Sequence, residues 1–186
     1  MNLIFFPVAV VTGIAISGLA APALAAADHA YEFGAPGKSV SATRTIEVNL
    51  ADNYYEPDAI SVKQGETVRF VLKNNGELLH EFSIDTLAEH AEHRKEMAEM
   101  MEMGMLTPTG INPEKMSMDH SKMDMGDTKK AEGMPMRHDD PNTVMLAPGE
   151  SKELVWKFTK AMEIEFACNM PGHYESGMLG RIRFVQ

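Results

Sequence analysis

The chain has 186 residues, 44% of them apolar, and a formal net charge of −10 at pH 7. That is enough for one domain and a little more, with a real core to bury. The acidic excess argues against nucleic acid and anionic membrane surfaces as partners, because both require basic patches, and leaves basic proteins and cationic ligands open.

The first stretch differs from everything after it. Residues 1–27 run through Leu3, Ile4, Phe5 and Phe6, then Val8 to Leu24, almost without a polar side chain, and end in Ala21-Pro22-Ala23-Leu24-Ala25. Small residues at Ala23 and Ala25 suit a signal peptidase, so residues 1–25 are expected to be a cleaved secretory signal and the mature protein periplasmic. An N-terminal membrane anchor is the alternative, since the run is long enough to span and no Lys or Arg precedes it. No second apolar run of spanning length follows, so no membrane association is expected after cleavage. Residues 26–42 are polar with Gly and Pro, and a flexible lead is expected there.

From residue 43 the pattern is that of short strands. Ile46, Val48 and Leu50 share one face of a first strand. Ile60 and Val62 make a short second, and Val68, Phe70 and Leu72 alternate with Thr67, Arg69 and Val71 in a third. The turn signal Asn74-Asn75-Gly76 leads into a strand from Leu79 to Ile84, which carries His80. Thr86 to Met105 is rich in Ala, Glu, Lys and Met and reads as a helix, with Asp85 or Thr86 as its cap. From Gly104 to Pro141 the chain is polar, and a loosely ordered insertion is expected. Strand signals return at Thr143–Leu146, Glu153–Phe158, Ile164–Cys168 and Arg181–Phe184. The sum is an all-β chain: a Greek-key β-sandwich of about eight strands over residues 43–186, with a helical, Met-rich insertion at about 86–140.

Cys168 is the lone cysteine. In an exported chain it makes no internal disulfide, so it is a free thiol, an intermolecular bridge or a metal ligand. The segment Cys168-Asn169-Met170-Pro171-Gly172-His173-Tyr174-Glu175-Ser176-Gly177-Met178 puts a thiol, an imidazole and a thioether on one loop between two strands. A thiolate with imidazoles and a weak thioether suits copper cycling between Cu(I) and Cu(II), whereas zinc takes four strong ligands. His80 is the best candidate for the second imidazole. Singly, each residue has a plainer role: Cys168 as a small buried hydrophobe, His173 in a surface turn, Met178 in the core.

The pattern Cys-x4-His-x4-Met, with an upstream His after an Asn-Gly turn, resembles the copper loop of the cupredoxins, among them plastocyanin, pseudoazurin, azurin and rusticyanin. The resemblance covers residues 43–84 and 143–185. It implies a Greek-key sandwich with a type 1 copper site at one end, formed by His80, Cys168 and His173 with Met178 as the axial ligand. The segments Leu79-His80-Glu81-Phe82, His138-Asp139-Asp140-Pro141-Asn142 and Phe166 through Met178 are similar to bacterial periplasmic cupredoxins linked to copper tolerance. Many cupredoxins carry Asn after the first histidine, where it ties the ligand loops together; this chain carries Glu81. Multicopper oxidases and copper nitrite reductases flank the cysteine with histidines that lead to another copper. Here the flanks are Ala167 and Asn169, so no enzyme activity is expected.

Eleven of the sixteen methionines lie between Met97 and Met136: Met97, Met100, Met101, Met103, Met105, Met116, Met118, Met123, Met125, Met134 and Met136. His90, His93, His120 and His138 accompany them. Thioethers select Cu(I) and need no deprotonation, so this stretch is expected to offer secondary Cu(I) sites. On the helix, His90, His93, Met97 and Met100 or Met101 fall on one face, which serves equally well as core. Beyond Gly104 few other large apolar residues appear, so metal binding is the better reading there, against oxidant scavenging or plain disorder. The expected partners are copper ions and either a redox protein such as a cytochrome or a copper-handling protein.

Overall fold

The computed structural model describes residues 31–116 and 140–186. Two five-stranded sheets pack face to face. The first has the order β1-β10-β5-β2-β3, from Gly34–Pro36 (β1), Ser151–Phe158 (β10), Thr67–Asn74 (β5), Arg44–Ala51 (β2) and Tyr54–Glu56 (β3). The second has the order β4-β12-β11-β6-β9, from Ala59–Lys63 (β4), Leu179–Val185 (β12), Glu165–Ala167 (β11), His80–Asp85 (β6) and Thr143–Leu146 (β9). The pairs β2–β5 and β4–β12 are parallel and the other neighbours antiparallel, so the chain crosses repeatedly between the sheets.

Alternation along the strands builds the core, since successive side chains point to opposite faces. Val68, Phe70 and Leu72 of β5 and Leu154, Trp156 and Phe158 of β10 are buried. So are Val48 and Leu50 of β2, and across the sandwich Phe82 and Ile84 of β6 with Phe166 of β11. Phe82 and Phe166 stack at 5.1 Å between ring centroids, and Tyr55 meets both edge-on at 5.9 and 5.1 Å.

All eight expected strands are present, and β1 and β3 join them at the two edges of the first sheet. Each of these has three residues, too few to show periodicity; their partners define them. The expectation of a flexible lead is therefore corrected from residue 31 onward. Phe33 is buried and lies 5.5 Å from the Trp156 ring, Tyr31 lies 5.3 Å from the same ring, and Gly34 pairs with Phe158. The buried face of Trp156 anchors a segment whose polarity alone reads as loose.

The insertion opens with a helix, Leu87–Glu102 (α1). Thr86 caps it, its hydroxyl accepting the Glu89 N–H at 3.2 Å. His90, Met97 and Met100 are its buried residues. A two-stranded hairpin, Leu106–Thr107 (β7) with Gly110–Ile111 (β8), and a short helix, Pro113–Met116 (α2), follow. Met105 and Leu106 are buried in the same core cluster as the sandwich, so the insertion is packed structure at least as far as the hairpin. No helix among the described residues is long and apolar enough to cross a membrane.

Candidate metal centre

His80 starts β6, and Cys168 follows directly on β11, its neighbour in the sheet. The chain then turns through the loop before β12. Left-handed backbone at Gly172 (φ 85°) and Gly177 (φ 98°) lets it turn tightly, at little cost for residues without a Cβ. The His173 N–H donates to the Met170 carbonyl at 3.0 Å and the Met178 N–H to the His173 carbonyl at 3.0 Å. The Cys168 N–H donates to the Met178 carbonyl at 3.1 Å, which returns Met178 to the cysteine. Cys168 and Met178 are buried, while His173 is half-buried, with Pro171 and Gly172 exposed beside it.

One donor atom each from His80, Cys168 and His173 lies within 4.8 Å of the others. The Cys168 Sγ is 3.4 Å from His173 Nδ1, and the two imidazoles are 5.1 Å apart between centroids. The His80 Nδ1 is buried and has no hydrogen-bond partner among the described residues, whereas its Nε2 lies 2.9 Å from Asp52 Oδ1. An orphaned ring nitrogen opposite a carboxylate-held one is the arrangement of a metal-binding histidine, whose second nitrogen is fixed by an outer partner.

The sequence profile described as a Cupredoxin-like domain matches residues 15–109. The chain is 56% identical over 162 residues to the copper-resistant cuproprotein CopI of Pseudomonas aeruginosa, covering 87% of each chain. It is 36% identical to the protein of the same name from Rubrivivax gelatinosus, covering 83% of this chain and 76% of that one. The chain belongs to the cupredoxin-like family. Among solved structures, auracyanin of Roseiflexus castenholzii superposes with a TM-score of 0.53 at 19% identity, covering 78% of this chain and 99% of that one, which is a likeness of fold.

Several contacts that hold this cupredoxin's site were not evident from its sequence. Asp52, in the turn after β2, accepts the backbone N–H groups of Glu77 and Leu78 as well as facing His80. The Asn74 side chain donates to the carbonyls of Leu78 and Leu146 and accepts the Gly76 N–H, which shapes the turn ahead of His80. A Cβ at Gly76 would collide with Asp52 and lie 2.9 Å from His80 Nε2. The Asn-Gly turn was the one signal available, and it pointed to a turn rather than to a partner of the histidine.

Glu81 is fully buried, and its N–H donates to the Cys168 Sγ at 3.3 Å. Its carboxylate accepts the backbone N–H of Asn169 at 3.1 Å and the side-chain N–H of Asn169 at 2.7 Å, and lies 2.9 Å from His93 Nε2. Burial alone would raise the Glu81 carboxyl, but His93 and the Asn169 donors hold it below the ordinary carboxylate value. Burial likewise opposes the charge on His93, and the Glu81 carboxylate prevails, holding it up to about 9. Burial, aided by the Glu81 charge, pushes the Cys168 thiol up to about 12. Burial lowers both His80 and His173, keeping them neutral and available as ligands near pH 7.

The methionines and histidines of the insertion divide into four groups. Met97, Met100 and Met105 are buried in the core, and for the helix this favours packing over metal capture. His90 lies against Asn169, and His93 against Glu81. Met101, Met103 and Met116 are partly buried against the core. Met118, His120, Met123, Met125, Met134, Met136 and His138 lie outside the described residues.

Proposed function

We propose that this chain is an exported, periplasmic copper-handling cupredoxin that holds one copper ion in a type 1 (blue) centre. His80, Cys168 and His173 would hold the ion, with Met178 supplying a weaker thioether donor. The observation that carries the reading is the convergence of the three donor atoms within 4.8 Å, with the buried Nδ1 of His80 left unpaired beside them. Copper bound there would cycle between Cu(II) and Cu(I). The protein's part is to present a preformed donor set, keep water from the thiolate, and surrender the Cys168 proton when metal binds. The copper-resistance names of the relatives support copper handling.

The thioethers after Met116 would extend this function. Met118, Met123, Met125, Met134 and Met136, with His120 and His138, would collect further Cu(I) and buffer it or pass it to a copper-handling partner. Ala167 and Asn169 flank the cysteine, so the reading includes no second redox copper and no catalytic step.

Adding Cu(II) to the mature protein is expected to produce an intense visible thiolate-to-copper band that a Cys168→Ser variant lacks. A wild-type protein without such a band would overturn the type 1 assignment. Replacing Met118, Met123, Met125, Met134 and Met136 together by Leu should lower the Cu(I) bound per chain, measured against a competing chelator, and leave the visible band intact. Unchanged stoichiometry would remove the insertion's role.

A second reading, a small electron carrier serving a cytochrome or an oxidase, is favoured by the half-exposed His173 beside the exposed Pro171 and Gly172. This lip would bring a redox partner close to the copper. The two readings share one site and are compatible.

A further inference from the structure

The contacts of α1 single out the copper loop. His90 Nδ1 lies 3.2 Å from Asn169 Oδ1, and His93 Nε2 lies 2.9 Å from Glu81 Oε1. The Arg94 guanidinium sits 4.0 Å above the Tyr174 ring, with its Nε 3.4 Å from Glu175 Oε1. Glu81, Asn169 and Tyr174 are the residues immediately after His80, Cys168 and His173. One turn of one helix therefore grips the neighbour of each of the three donors. Strand alternation explains how this arises: His80 faces the sandwich interior, so Glu81 faces outward, where α1 covers it.

We infer that the inserted helix is a structural wall of the copper centre, and that His93 is a positioning residue acting through Glu81 to hold the His80 and Cys168 strands in register for copper. The inference rests on the ligand assignment above. In this chain a buried carboxylate takes the place after the first histidine. It accepts two N–H groups from the Cys168 side, while its own backbone N–H donates to the Cys168 sulfur. A buried carboxylate needs a counter-charge to stay in place, and His93 lies 2.9 Å from it. The Tyr55 hydroxyl anchors the same residue from the core side by donating to the Glu81 carbonyl at 2.5 Å.

The test is copper titration and visible spectroscopy on full-length mature protein. The variants are His93→Ala, Arg94→Ala, the double variant Glu81→Asn with His93→Ala, and Glu92→Ala as a control on the exposed face of α1. His93→Ala is expected to weaken copper binding about 10-fold to 100-fold, as losses of outer hydrogen-bond partners do, and to shift the charge-transfer band. The double variant should recover most of both, because a neutral Asn bridges the loops without needing a counter-charge. Glu92→Ala should match wild type. A His93→Ala protein with wild-type affinity and band position, altered only in melting temperature, would overturn the inference. If His93→Ala fails to fold, Arg94→Ala with wild-type affinity and band would do the same. A wild-type protein without the visible band would instead sink the ligand assignment itself, which separates the two failures.

Discussion

Asp52 shows how one side chain organises the centre. Its carboxylate is held below the ordinary value first by its contact with His80, then by the backbone N–H groups of Glu77 and Leu78. It thereby fixes both the tautomer of His80 and the loop that precedes it, leaving Nδ1 as the free donor. Asp52→Ala removes all three acceptances at once. Copper affinity should fall about 10-fold or more, as measured by chelator competition, and the visible band should broaden as His80 gains freedom. Gly76 belongs to the same unit, because any side chain there displaces Asp52.

At the scale of elements, α1 and β6 are joined by the Glu81–His93 ion pair, and the pair sets a pH window. The folded value of His93 lies above its ordinary 6.5, at about 9. Its contribution is complete below 6.5 and is lost as pH rises through about 9. The folded value of Glu81 lies below its ordinary 4.5, so its contribution is present above 4.5 and lost as pH falls. The metal-free protein should therefore draw full benefit from this pair between 4.5 and 6.5 and melt at lower temperature as pH rises toward 9. His93→Gln should flatten that alkaline limb in thermal melts. Outright removal of the partner, as in His93→Ala, leaves a buried carboxylate uncompensated and should cost about 3–5 kcal/mol in denaturant unfolding.

At the scale of the whole molecule, the charge of −10 bears on association. A basic redox partner docking at the Pro171–His173 lip would be steered by that field, and the steering would weaken with salt. The second-order rate of electron exchange with a basic cytochrome should fall by about tenfold or more as the ionic strength rises from low values to physiological ones. A rate independent of salt would place the partner contact in apolar surface alone.

The sequence by itself carried the sandwich and the candidate ligands. Alternation in Val68–Leu72 and Leu154–Phe158 is local information, and so is the spacing of Cys168, His173 and Met178 within one loop. The helix and its Thr86 cap were also legible, because capping and composition act within a few residues. What only the tertiary structure decided was contact between distant segments. Phe33 finds Trp156, Asp52 finds His80, and His93 finds Glu81 only after the chain has crossed between sheets. No periodicity or spacing encodes those pairs, and the same residues, read along the chain, look like a loose lead, a turn acid and a possible metal-capturing histidine. Burial supplies the difference: Trp156 and Glu81 are each enclosed on folding, and an enclosed ring or charge must be met by whatever the topology brings beside it.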